Sequence, residues 1–162
     1  MDNYIGISND RLWHIIGVAR KCYNIAKSEG FDEKFCRKMF VIGFNHDIGY
    51  EFSPEQSIHP DISAVLLLSL FDKSQADKLD TTGLKSIEAI KNHGKYIAMQ
   101  TAEWRILNMA DMTVDSKGKD VDVLERLKDI KSRYGEWSNQ YLTSCDICYQ
   151  IGLTAENLGR LS

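Results

Sequence analysis

Proline is scarce, two in 162 residues, and glycine is held to 11, so the chain lacks the breakers that a many-turned β fold needs. No segment shows convincing apolar/polar alternation, the period of a half-buried strand. Long apolar runs are missing too. The longest, Ala64 to Phe71, is interrupted by Ser69 and falls far short of the ~20 residues that span a bilayer. There is no basic-then-apolar leader, and no excess of positive charge: 20 Lys+Arg face 23 Asp+Glu, a net charge of −3. That balance excludes binding driven by bulk charge to nucleic-acid polymers or anionic membranes. Four cysteines without an export signal read as reduced thiols. No repeat, low-complexity tract or linker divides the chain. The expectation is one all-α domain over residues 1–162, a helical bundle, cytoplasmic, with neither membrane nor nucleic-acid partner and no signal for an oligomeric state.

Apolar residues recur at helical spacing in seven segments. The first is opened by Asn9 or Asp10 as N-cap, carries Leu12, Ile15, Ala19, Cys22 and Ala26 on one stripe, and is closed by Gly30. The second starts near Glu33 behind Asp32, with Cys36, Phe40, Gly43 and Asp47 on one face, and stops near Gly49. The third begins at Pro60, and its Ile62–Phe71 body is apolar nearly all round, as expected of the buried centre of a bundle. The fourth follows Thr82, turns Leu84, Ile87 and Ile90 inward, and ends at His93 before Gly94. The fifth covers 101–114 with Trp104, Leu107, Asp111 and Val114 on a stripe. The sixth runs over Val121–Tyr134 behind Asp120, with Leu124, Leu127, Ile130 and Tyr134 inward. The last spans about 137–160.

Only four histidines are present: His14, His46, His59 and His93. Asp47, next to His46, and Asp111 each interrupt an apolar stripe. Burying an unpaired carboxylate costs several kcal/mol, so both need cations or donors opposite them. His59 before a helix start and His93 at a helix end are placed where side chains converge. Imidazole nitrogens with carboxylate oxygens form the ligand set of Zn, Fe, Mn or Co rather than Ca. Taken singly, each histidine reads as a hydrogen-bonded core or boundary residue, His59 as a helix cap, and Asp111 as a partner for Arg105 or a backbone amide. The metal reading rests on all six together.

His14, then His46-Asp47, then Asp111 resembles the H…HD…D signature of the HD superfamily of metal-dependent phosphohydrolases. The likeness continues through Arg11, three residues before His14, and through HDIGY (46–50), HPDISAVLL (59–67), NHG (92–94), MADMTVDSKG (109–118) and ERLKDIKSRYG (125–135). It covers about residues 11–135. The resemblance implies that His14, His46, Asp47 and Asp111 hold one divalent metal inside a helical bundle. His59 and His93 match the extra positions of branches with a second metal, which implies a dinuclear site bridged by Asp47. The ions would be Fe, Mn, Co, Zn or Mg, one or two of them. The implied activity is hydrolysis of a phosphate ester of a small molecule, a nucleotide foremost, by a metal-activated water.

Departures narrow the substrate. Tyr50 stands where the cyclic-di-GMP phosphodiesterases and the symmetrical dinucleoside-tetraphosphate hydrolases usually carry lysine. The GYP signature of the former is absent, and so is the Glu-Asp pair of the guanosine-tetraphosphate hydrolases. None of these activities is assigned, and a dinucleoside polyphosphate is kept as a remote alternative substrate. The alternatives on the same residues are a di-iron oxygenase of the HD type and a non-catalytic metal- or nucleotide-binding module.

Three residues are candidates for the substrate phosphate: Arg11, one turn from His14; Tyr50; and Lys95, just past His93-Gly94. Each has an ordinary alternative, namely a salt bridge, helix-end packing and a solvated lysine. Lys117 and Lys119 in DSKGKD read as a solvated turn in preference to a loop over the site. Arg126 and Arg133 either reach the pocket or bind Asp129 or Glu136, and the structural role is preferred. Cys145 and Cys148 have CxxC spacing with no βαβ pattern around them, and read as core, like Cys22 and Cys36.

Overall fold

A computed structural model describes residues 6–53, 55, 57–69, 81–95 and 101–152. Among them are seven α-helices: α1 (Asn9–Ser28), α2 (Glu33–Asn45), α3 (His59–Ser69), α4 (Thr81–Asn92), α5 (Ala102–Asp111), α6 (Val123–Tyr134) and α7 (Asn139–Gln150). A short 3₁₀ turn, Ile48–Glu51, follows α2. The described residues form no strand, only an isolated antiparallel bridge between Val114 and Asp120. No described helix is long and apolar enough to cross a membrane. The fold is all-helical, as the missing period-2 pattern predicts.

Side-chain oxygens start the helices. Asp32 accepts from the Phe35 amide, as predicted, and Thr101 and Ser138 cap α5 and α7 in the same way. Two caps differ from expectation. Ser8, not Asn9 or Asp10, caps α1 by accepting from the Arg11 amide. Asp122 caps α6, while Asp120 pairs with Lys21 at 3.0 Å.

Helix ends and faces differ as well. α2 stops at Asn45, so His46 and Asp47 leave the helix and the 3₁₀ turn takes the segment predicted to continue to Gly49. α5 stops at Asp111, and Val114 lies in the bridge beyond it. α2 buries Cys36, Met39, Ile42 and Gly43, while Phe40 faces outward. On α4, Ala89 and Ile90 are buried but Leu84 is exposed, and Tyr134 at the end of α6 is also exposed. Leu70 and Phe71 of the third predicted helix, and residues 153–160 of the last, lie outside the described residues.

The largest correction concerns α3. It buries His59, Pro60, Ser63, Ala64 and Leu67, but Val65 is 63% and Leu68 46% exposed. It therefore covers one side of the bundle, against α4 and the 3₁₀ turn, instead of forming its centre. The central place goes to α5, which touches α1, α2, α4 and α7 and buries Trp104, Ile106, Leu107 and Ala110.

The main core joins α1, α2, α4 and α5 through Val18, Met39, Ile42, Ile90, Ile106 and Leu107. Burial of each such large side chain stabilises by roughly 1.5–3 kcal/mol. A smaller cluster, Met112, Leu127, Ile130, Ile147 and Cys148, fastens α6 and α7 to the end of α5.

Candidate metal centre

Five of the six candidate ligands stand at helix ends. His46 and Asp47 follow α2, His59 opens α3, His93 follows α4, and Asp111 closes α5; only His14 lies within a helix. Two glycines let these ends meet. A Cβ on Gly49 would lie 2.1 Å from the His59 carbonyl oxygen, and the Gly49 amide donates to Ser63 Oγ at 2.8 Å. Only glycine allows the 3₁₀ turn to lie against the start of α3. Gly118 has φ +76°, and a Cβ there would meet the Trp13 carbonyl oxygen at 2.2 Å. The turn over 115–119 can thus press against α1 beside His14.

Backbone carbonyls orient three of the histidines. His14 Nδ1 donates to the Asp115 carbonyl at 2.9 Å, His46 Nδ1 to Gly43 at 2.7 Å, and His93 Nδ1 to Ile90 at 2.6 Å. A carbonyl only accepts, so the proton of each neutral ring sits on Nδ1 and the Nε2 lone pair points the other way. Those lone pairs face carboxylate oxygens. His14 Nε2 is 3.0 Å from Asp111 Oδ1, His46 Nε2 is 3.5 Å from Asp47 Oδ1, and His93 Nε2 is 3.3 Å from the same oxygen. His59 Nε2 lies 3.0 Å from Asp47 Oδ1 and 3.1 Å from His93 Nε2.

Acceptor facing acceptor is repulsive unless a cation or a proton lies between them. His46 Nε2, fully buried, has no hydrogen-bond partner at all. The donors form two buried triads, His14/His46/Asp47 and Asp47/His59/His93, each with its ligand atoms within 4.8 Å of one another. These residues fit a divalent metal by donor type, by lone-pair direction and by the carbonyls that hold the rings. The triads share Asp47.

The electrostatics hold Asp47, Asp111 and His46 in their metal-binding forms, whereas the Asp47 carboxylate biases His93 toward its protonated form. Burial pushes the Asp47 carboxyl upward, but His46, His59, His93 and Arg11 outweigh it and hold the group well below the usual carboxylate range. Asp111 is likewise depressed against its burial, chiefly by His14 and then His46. Burial drives His46 down to about 4, against the pull of Asp47, so its ring is neutral near pH 7. His93 is raised, because its hydrogen bond and charge contact with Asp47 overcome burial.

The cluster opens into a cavity of about 460 Å³. Arg11, Tyr50 and Lys95 all line it. Arg11 Nη1 binds Asp47 Oδ2 at 2.6 Å, so the salt bridge and the cavity position coexist. Tyr50 stacks on His59, and burial raises its phenol well above the ordinary value. Lys95 Nζ reaches the Lys91 carbonyl at 3.3 Å. Asp111 does not pair with Arg105, which binds Glu29 instead at 2.5 Å.

The DSKGKD segment is a turn, as preferred, with the Lys117 and Lys119 amides donating to Asp115 Oδ1 at 2.8 and 2.9 Å. Its Asp115 carbonyl anchors His14, a part in the site that the sequence reading missed. Gly49, Ser63 and the Gly43 and Ile90 carbonyls were missed as well. Every residue has a carbonyl, so no residue type marks the ones that matter. Arg126 and Arg133 both bind Asp129 and also line the cavity. Cys145 and Cys148 lie away from it, and burial pushes the Cys148 thiol up to about 12.

Comparison of the chain with protein-family models, curated proteins and solved structures finds no match.

Proposed function

We propose that this chain is a metal-dependent phosphohydrolase of the HD type, acting on a small phosphorylated compound, a nucleotide foremost. The observation that carries the reading is the sharing of Asp47 between two buried His/Asp triads. A carboxylate has two oxygens, and a pair of metal-binding groups built around one suits phosphate-ester chemistry. Bound divalent ions supply Lewis-acid polarisation of the phosphoryl group and a water acidic enough to attack it.

The chain's own residues do the rest. His14, His46 and His93 present Nε2 because carbonyls hold Nδ1–H. Arg11 orients Asp47 through Oδ2, and from the cavity wall its guanidinium also meets the oxygens of an entering phosphate. Tyr50 stays protonated and is a hydrogen-bond donor there. Lys95 adds positive charge at the rim. No serine or cysteine nucleophile is required.

The test starts from protein purified without chelator or affinity metal. Elemental analysis gives metal per chain, and phosphate release is followed with nucleoside monophosphates and p-nitrophenyl phosphate. Asp47→Asn is expected to abolish metal binding and phosphate release while the helical circular dichroism persists. Unimpaired turnover in that variant, oxygen uptake in place of phosphate release, or no metal after reconstitution with Mn, Fe, Co or Zn would overturn the reading.

A further inference from the structure

The cavity that holds the His/Asp cluster is also lined by α6 and α7. Arg126 and Arg133 both line it from α6, seven residues apart and so on nearly one face of the helix. Arg126 is largely buried, its side chain only 12% exposed, and its Nε has no hydrogen-bond partner. Its Nη1 reaches Asp129 Oδ2 at 3.3 Å, and Arg133 Nη2 binds that same oxygen. One carboxylate oxygen serves both guanidinium groups, the Asp115 carboxylate acts on Arg126 through charge alone, and the buried Arg126 Nε donor is left unused. Buried donors without acceptors are rare, and in a cavity wall the missing acceptor points to a ligand. α7 adds Asn139 and Thr143, whose uncharged polar groups suit phosphate or hydroxyl oxygens, while Ser144 Oγ donates to the Gln140 carbonyl at 2.7 Å.

We propose that Arg126 and Arg133 form a second anion subsite, which takes a phosphate of the substrate other than the one cleaved at the His/Asp cluster. The assignment of the first phosphate rests on the hydrolase reading above. Guanidinium forks match phosphate oxygens two at a time, which a lysine does not. A cavity of about 460 Å³ has the volume of a small-ligand site. The preferred substrate is therefore a compound with two or more phosphates, and a simple monophosphate leaves this wall unused.

Calorimetric titration of the intact chain with inorganic phosphate, pyrophosphate and tripolyphosphate tests the subsite, with metal content measured before and after. The native chain is expected to bind tripolyphosphate roughly tenfold more tightly than phosphate. Arg126→Gln and Arg133→Gln are each expected to remove most of that advantage. Asp129→Asn, which frees both arginines, is expected to widen it, an effect that a purely structural ion pair would not produce. Should Arg126→Gln disturb the helix, Arg133→Gln at the more exposed position carries the test. An equal advantage in the native chain and both arginine variants, or no advantage in the native chain, overturns the subsite. Absence of hydrolysis of any phosphoester, with the chain-length preference and its loss in the variants intact, overturns the hydrolase reading and leaves the subsite standing.

Discussion

Tyr50 lies flat on His59, ring centroids 3.9 Å apart and planes 16° from parallel, with the Arg11 guanidinium 4.2 Å from the centre of the same tyrosine ring. Among the four histidines, His59 is the one whose Nδ1 finds no hydrogen-bond partner. Stacking takes over the orienting part that carbonyls play for His14, His46 and His93. Tyr50→Phe is expected to keep the metal content of the native chain, and Tyr50→Ala to lose about one equivalent. Elemental analysis decides, and unchanged content in Tyr50→Ala would show that His59 is held by other means.

The two triads make separate demands on the metal count. His59→Ala or His93→Ala is expected to lower it from about two per chain to about one. One equivalent in the native chain, insensitive to both changes, would make the centre mononuclear and leave these histidines to contact phosphate.

Gly49 is the tightest contact between the 3₁₀ turn and α3. An alanine Cβ there meets the His59 carbonyl at 2.1 Å and Ser63 Oγ at 2.8 Å. The first clash is with backbone, which cannot swing aside as a side chain can. Gly49→Ala is expected to cost at least about 2–3 kcal/mol in a denaturant titration and to weaken metal retention at the Asp47/His59/His93 triad. Native stability in this variant would contradict the packing described.

Away from the cavity, Arg105 binds Glu29 with both terminal nitrogens, at 2.7 and 2.5 Å. This hydrogen bond holds the Glu29 carboxyl below its ordinary value. The carboxylate therefore binds fewer protons folded than unfolded, so the pair's contribution is full above the ordinary glutamate pKa and fades as the pH falls through the folded one. Glu29→Gln is expected to melt below the native chain at neutral pH, with the gap closing in acid. A gap that persists unchanged at acid pH would show that charge is not its source.

Arg11 touches the cavity and Asp47 together. Arg11→Gln is expected to reduce kcat/KM on a phosphoester about 10–100-fold while metal remains bound. If metal content falls in parallel with activity, the guanidinium serves the Asp47 carboxylate and not the substrate.

Much of the fold was legible. Asp32 before Glu33, the 3.6-residue stripes and the missing alternation all follow from preferences within one turn of the chain, and the helices formed accordingly. Phase was less legible. Phe40 and Leu84 extend plausible stripes, yet both are exposed, because the neighbouring helices meet α2 and α4 on faces set by Met39 and Ile42 and by Ser86, Ala89 and Ile90. The uniformly apolar Ile62–Phe71 stretch predicts a central helix, but composition cannot tell a helix enclosed on all sides from one that keeps Val65 and Leu68 in the open.

The sequence by itself determined an all-helical chain and singled out six residues whose chemistry suits a metal, because helix periodicity and ligand type belong to single residues and their near neighbours. The tertiary structure decided what those residues face. His14 meets Asp111 across 97 positions and the Asp115 carbonyl across 101, and His59 meets His93 across 34. Which carbonyl locks a ring, that both triads share Asp47, and that Arg126 and Arg133 turn to the same cavity while they grip Asp129 depend on how distant helix ends are brought together. That arrangement is set by the packing of whole faces around α5, which no local pattern encodes.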